Sequence, residues 1–254
     1  MMDEEFVTIE HQNQVAVLKL NRGITNAING DLVLALDSAF KSQAADPEVL
    51  GMVITSANSK FFSIGLDIPD LIALEERDFR SFYQSFNQMC LGILTTSKPL
   101  IAGITGHAIA GGCILGLCCD YRFISEGHKL IGLNEIKLGV PVPYVADCIL
   151  RKLIGYRNAR DVMDSGGFLV PEEAQRLGMV DRVLPLEEVL SQSIEKAREL
   201  AADSLEAFAL IKSSRLHAIE REIALQLSER EDAFIECWYS DDARAQLKDA
   251  ISKY

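Results

Sequence analysis

The chain alternates between two hydrophobic rhythms. Phe6–Glu10 and Gln14–Leu20 alternate or run apolar around His11-Gln12-Asn13, which predicts a β-hairpin. Leu32, Leu36, Ala39 and Phe40 recur at helical spacing and predict a helix over Asp31–Phe40. Val49–Thr55 is a short β-rich run; the polar turn Ser56–Lys60 and the segment Phe61–Asp67 follow it. Glu75–Leu94 reads as helix and Leu100–Thr105 as strand. Cys113–Cys119 is apolar on every side, the mark of a buried helix, before Asp120–Ser125 returns to strand. Strands alternating with helices predict an α/β fold with crossover connections. Beyond Gly139 the pattern turns helical, over Tyr144–Ile154, Ala159–Ser165, Pro171–Leu177, Leu186–Ala202 and a long charged stretch, Ser204–Ser240. The expected organisation is an α/β core over residues 1–195 and a helical C-terminal segment over 196–254.

Composition narrows the function classes. The 254 residues are 48% hydrophobic and 24% charged, an ordinary globular mix. A net charge of −12 argues against nucleic acid as partner, because phosphate neutralisation needs a basic face. It leaves room for a small anionic ligand held by local N–H donors. No apolar run reaches the ~20 residues of a membrane span. The opening MMDEEFVTIE resembles neither a secretory nor a transit signal, so a cytoplasmic location is expected. The six cysteines lack paired-ligand spacing, so no metal site is expected; Cys113, Cys118 and Cys119 read as small core residues.

Three segments carry candidate chemistry. Phe61–Asp67 ends a strand with Gly65 before Leu66-Asp67 and, by local pattern, is equally an ordinary turn. Gly106–Gly112 joins a strand to the buried helix. Its glycines admit close backbone approach, and the helix start leaves N–H groups unpaired, which suits a developing oxyanion; tight packing is the alternative reading. No GKS or GKT phosphate loop and no dinucleotide-binding glycine fingerprint are present. In Ile131–Gly139, Glu135 sits among apolar residues, where a carboxyl group gains a raised pKa suited to proton transfer; an exposed loop glutamate is the alternative reading.

In order and spacing these segments resemble the crotonase (enoyl-CoA hydratase/isomerase) superfamily. The resemblance runs from Leu20-Asn21-Arg22 with Asn26-Ala27-Ile28-Asn29, through Phe62–Asp67, Gly106–Gly112 and Asn134-Glu135 with Leu138-Gly139. It continues to Asp164-Ser165-Gly166, Pro171–Ala174 and Leu177–Val180. It implies a spiral of ββα units, with a helical C-terminal region that forms a homotrimer or a dimer of trimers. It also implies an acyl-CoA thioester whose oxygen is held by the N–H groups of Leu66 and Gly111. Coenzyme A enters as part of the substrate, with no separate cofactor. Ala27, Ser63, Ile64 and Leu66 are the implied coenzyme A contacts; Lys212 is a further candidate, for a coenzyme A phosphate, with a solvated helix-surface lysine as the alternative reading. Trp238–Asp242 resembles the family's C-terminal aromatic segment, although Ala243–Tyr254 departs from its ending.

Hydratases of the family resemble one another in two glutamates, one of them three residues after the oxyanion glycine. Here Ile114 stands at that position, and Glu135 is the remaining acid. The surroundings of Glu135 resemble the single-glutamate Δ3,Δ2-enoyl-CoA isomerases, in which one residue serves as base and acid. A hydrolase or decarboxylase, with His107 beside the hole, and a non-catalytic acyl-CoA binder are the alternatives. Phe61, Phe79, Phe82, Phe86 and Tyr144 either line an acyl tunnel or pack.

Overall fold

In a computed structural model, residues 5–252 are described; the acidic opening and the last two residues lie partly or wholly outside them. Val7–Gln12 (β1) and Val15–Leu20 (β2) form the expected antiparallel hairpin. Its turn falls on Asn13 and Gln14, both with positive φ, one step later than the sequence suggested. Gly30–Ala45 (α1) is capped by Asn29, whose side chain accepts the Leu32 N–H.

Three strand pairs follow, each with one strand in each of two sheets. Gly51–Ser56 (β3) and Phe61–Ser63 (β4) precede the short helix Ile68–Ile72 (α2) and the long Glu76–Thr95 (α3). Leu100–Ile104 (β5) and His107–Ile109 (β6) precede Gly111–Leu117 (α4). Tyr121–Ser125 (β7) and Ile131–Gly132 (β8) precede a 3-10 turn, Glu135–Leu138. The chain continues through Tyr144–Ser165 (α5), Pro171–Leu177 (α6), Arg182–Leu184 (β9), Leu186–Ala201 (α7), Leu205–Trp238 (α8) and Asp241–Ser252 (α9). Within α5, Gly155 (φ 79°) breaks the helix between the two stretches that the sequence pattern separates.

The larger sheet runs β1-β2-β3-β5-β7-β9 and the smaller β4-β6-β8; all pairings after the hairpin are parallel. This is the spiral of ββα units of a crotonase fold. Strands such as Gly51–Ser56 and Leu100–Ile104 are buried throughout, as parallel strands covered on both faces must be. Helix α7 covers one side of the larger sheet, through Ile194 and Ala197 against Val15, Val17, Val53 and Ile101. The expected boundary at residue 195 falls inside this helix. Helix α8 lies on α3 and α5, and α9 on α2 and the 3-10 turn.

The smaller sheet positions the functional segments. Because β4, β6 and β8 are parallel, their carboxyl ends lie at one edge, and the residues that follow them emerge side by side. Leu66 comes three residues after β4, Gly111 two after β6, and Glu135 three after β8. Helix α4 packs so closely on β4 that a β-carbon at Gly112 would overlap the Ser63 carbonyl and lie 2.9 Å from the Ser63 Cβ. We therefore predict that Gly112→Ala lowers stability by about 3 kcal/mol, the upper end of overpacking costs. Denaturant unfolding with an unchanged midpoint would contradict this account of the contact.

Candidate active site

The loop before α1 forms one wall of the site. Asn26, fully buried at φ 46°, donates to the Ser56 hydroxyl (2.9 Å) and the Phe62 carbonyl (3.0 Å) and accepts the Arg22 N–H (2.9 Å). Ser63 returns the contact: its hydroxyl donates to the Asn26 carbonyl (2.7 Å) and accepts the Gly65 N–H (3.1 Å). These bonds fix the turn that carries Leu66. Ile28 then bridges to the segment, donating to Gly65 O (2.7 Å) and accepting from Asp67 N (2.9 Å). In a parallel bridge this pattern turns the residue between, Leu66, so that its N–H faces away from Ile28.

Gly111 supplies the second N–H, at the first position of α4, where no preceding turn accepts it. Gly65, at φ 97°, comes so close that a β-carbon on it would lie 2.9 Å from Gly111 N. A β-carbon on Gly111 would lie 3.4 Å from Leu66 N. The two N–H groups are therefore neighbours with backbone alone between them. Ala110 stands in a sparsely populated conformation (φ 47°, ψ −117°), and that ψ orients the peptide bearing the Gly111 N–H. The Ala110 N–H, on the preceding peptide, donates to Gly132 O at 2.8 Å and ties Ala110 to the strand leading to Glu135.

Leu66, Gly111, Ile114 and Glu135 line one cavity of about 280 Å³. Glu135 is buried, and its Oε2 lacks a hydrogen-bond partner among the described residues. Desolvation pushes its carboxyl group up to about 7. Behind it, Gly139 at φ 74° closes the 3-10 turn against α9, where a β-carbon would lie 2.9 Å from Gln246 Nε2. Ala27, Ile64, Arg22 and Asp67 also line the cavity. Asp67 is occupied: it pairs with Arg22 at 2.6 Å and caps α2.

Two expected coenzyme A contacts belong elsewhere. Ser63 is fully buried and does not line the cavity; its hydroxyl braces the turn. Lys212 is also buried, in an ion pair with Asp120 at 2.7 Å, and desolvation lowers its pKa. It lies on the inward stripe of α8 with Ile219 and Ile223, at spacings of seven and eleven residues, and was therefore never a surface lysine. His107 does not line the cavity either. Its Nδ1 accepts the Leu130 N–H at 3.1 Å, and burial, with Lys129 and Lys60 nearby, holds its pKa below the ordinary value. Of the aromatic candidates, Phe86 lines the cavity, while Phe79 stacks on Trp238 and Tyr144 reaches Glu222. Phe234, Trp238 and Ile251 of the C-terminal helices also line it; the aromatic segment at Trp238–Asp242 was their one signal in the sequence.

The model of the enoyl-CoA hydratase/isomerase family matches residues 10–252. The chain belongs to that family. It is 29% identical to the crotonyl-CoA hydratase of Syntrophomonas wolfei over 99% of this chain and 97% of that protein. To mouse mitochondrial enoyl-CoA delta isomerase 1 it is 31% identical over 70% of this chain and 62% of the mouse protein. The human mitochondrial Δ3-Δ2-enoyl-CoA isomerase structure superposes with a TM-score of 0.94 at 25% identity, covering 98% of this chain and 97% of that one. In this family member the neighbouring N–H groups and the buried acid share one apolar cavity.

The raised pKa of Glu135 has a consequence for folding. The fold favours the neutral carboxyl group, so wild type loses stability as pH rises from the ordinary value of 4.5 through about 7. At 1.36 kcal/mol per pH unit this amounts to roughly 3 kcal/mol. Glu135→Gln mimics the neutral form. It should therefore match wild type below pH 4.5 and exceed it by that amount at pH 8. Thermal unfolding at both pH values checks this; equal stability at pH 8 would contradict the buried, unpaired carboxylate.

Proposed function

We propose that this chain is a Δ3,Δ2-enoyl-CoA isomerase. The observation that carries the reading is that, among the described residues, Glu135 is the one carboxylate lining the cavity without a cationic partner, while Ile114, 1% exposed, takes the place of a second acid. Hydration needs a water held and activated between two carboxylates; isomerisation needs one group that takes a proton and returns it. The Glu135 carboxylate removes a proton from C2 of a 3-enoyl thioester. The electron pair passes into a dienolate whose oxygen accepts the Leu66 and Gly111 N–H groups. Each such donor is typically worth ~3–4 kcal/mol to the transition state. Protonated Glu135 then delivers the proton to C4, leaving the 2-enoyl thioester and the carboxylate. Atoms and charge balance with no redox step and no added water.

Ala27, Ile64 and Leu66 are the wall against which the coenzyme A portion is expected to lie. His107 supports neither a hydrolase nor a decarboxylase, because it stands off the cavity with Nδ1 occupied. The exposed Leu210, Ile211 and Leu225 of α8 give an apolar face in support of the expected homotrimer.

Purified protein given 3-enoyl-CoA should accumulate 2-enoyl-CoA. Because the base form of Glu135 is required, kcat/KM should rise with pH through about 7 and level off above it. Glu135→Gln should lower kcat by ~10³ or more, within or beyond the usual range for a general base. Rapid water addition to 2-enoyl-CoA, or full activity in the glutamine variant, would overturn the assignment.

A further inference from the structure

The cavity has an aromatic wall, and its chemistry sets a limit. Phe86 of α3 and Phe234 and Trp238 of α8 line it, each at most 2% exposed. They form part of one aromatic stack. Trp238 lies on Phe79 at 4.4 Å between ring centroids with an interplanar angle of 18°, and Phe234 on Tyr83 at 4.1 Å and 14°. Phe86 meets Phe82 at 6.5 Å. A ring cannot swing aside without displacing the one behind it, because packed interiors hold few voids to receive it. The Trp238 indole N–H has no hydrogen-bond partner among the described residues, so the residue is held by packing and acts by shape.

Resting on the reading of this cavity as an acyl-CoA site, we propose that the wall of Phe86, Phe234 and Trp238 ends the acyl channel and limits the substrate to short and medium chains of up to about eight carbons. An apolar cavity of about 150 Å³ accommodates benzene, which allots roughly 25 Å³ to each carbon. On that scale about 280 Å³ holds roughly eleven non-hydrogen atoms. The thioester oxygen, the sulfur and the first atom of the pantetheine arm take at least three of those places, which leaves at most about eight for acyl carbons. A twelve- or sixteen-carbon chain has to break the stack or leave methylenes in water.

Binding of saturated acyl-CoA thioesters, from butanoyl to hexadecanoyl, tests the limit by calorimetry without turnover. Affinity should tighten roughly fourfold per added methylene, the worth of one buried CH₂, up to about eight carbons. It should then stop improving, and dodecanoyl-CoA should bind at least tenfold more weakly than that trend extrapolates. Trp238→Leu opens the wall and should move the break out by two to four carbons. Ile251→Ala, at a half-buried position that also lines the cavity, is the second variant should the first fail to fold, and should move it by about two. Unbroken tightening to hexadecanoyl-CoA in wild type, or an unmoved break in either folded variant, would overturn the proposal. A break at eight carbons in a protein that isomerises none of these chain lengths as 3-enoyl thioesters would overturn the reaction proposed above and leave the length limit standing.

Discussion

The site depends on one contact between two stretches of backbone. Residues 63–66, leaving β4, and residues 110–112, opening α4, approach until no side chain fits between them; Gly65 and Gly112 would each drive a β-carbon into the other stretch. Nothing but glycine is tolerated at Gly112, and Gly65 must also adopt a φ of 97°. The outcome is that two backbone N–H groups, from segments 45 residues apart in sequence, stand as neighbours. Such donors are fixed by the fold itself and need no reorganisation when charge appears before them, which is why preorganised N–H pairs are effective at stabilising oxyanions. The strained Ala110 peptide and the buried Asn26–Ser63 hydrogen bonds belong to the same device, since they hold the two stretches in place.

The acid is placed by the same small sheet. The parallel register Ser63–Ala108–Ile131 makes the three strands end together, so Leu66, Gly111 and Glu135 need only two or three further residues each to converge. The C-terminal helices complete the enclosure: α9 backs the turn that bears Glu135, and Phe234, Trp238 and Ile251 close the cavity. Burial raises the pKa of Glu135, and the same enclosure surrounds the Leu66 and Gly111 segments that line the cavity with it.

Much of this was legible in the sequence because it was written in local, periodic signals. The fully apolar Cys113–Cys119 run marked a buried helix, the glycines at 65, 111 and 112 marked close backbone approach, and Glu135 stood out as an acid among apolar neighbours. The misreadings arise where a residue's meaning depends on a partner far along the chain. Lys212 looks like a solvated helix lysine until Asp120, 92 residues earlier, is placed against it. Ser63 looks like a ligand contact until its hydroxyl is found bonded to Asn26 O. Short elements such as Ile131–Gly132 carry too few residues for any period, and Trp238 reaches the cavity only through the packing of α8 on α3.

Ile114 does more than remove a carboxylate. A second acid beside Glu135 would be a like charge in a desolvated pocket, pushing the pair toward sharing one proton and inviting a water between them. An isoleucine leaves Glu135 with burial as the chief influence on its pKa and adds an apolar group to the cavity that Glu135 lines. A single carboxyl group poised near neutrality can accept a proton in one step and release it in the next with little free-energy difference between its two states. A reaction that moves a proton between two carbons of one substrate needs that symmetry. Addition of water, in which the proton delivered and the proton removed come from different atoms, is served poorly by it. In the proposed isomerase, one apolar side chain at the first turn of α4 thus acts through solvation as much as through loss of a reactive group.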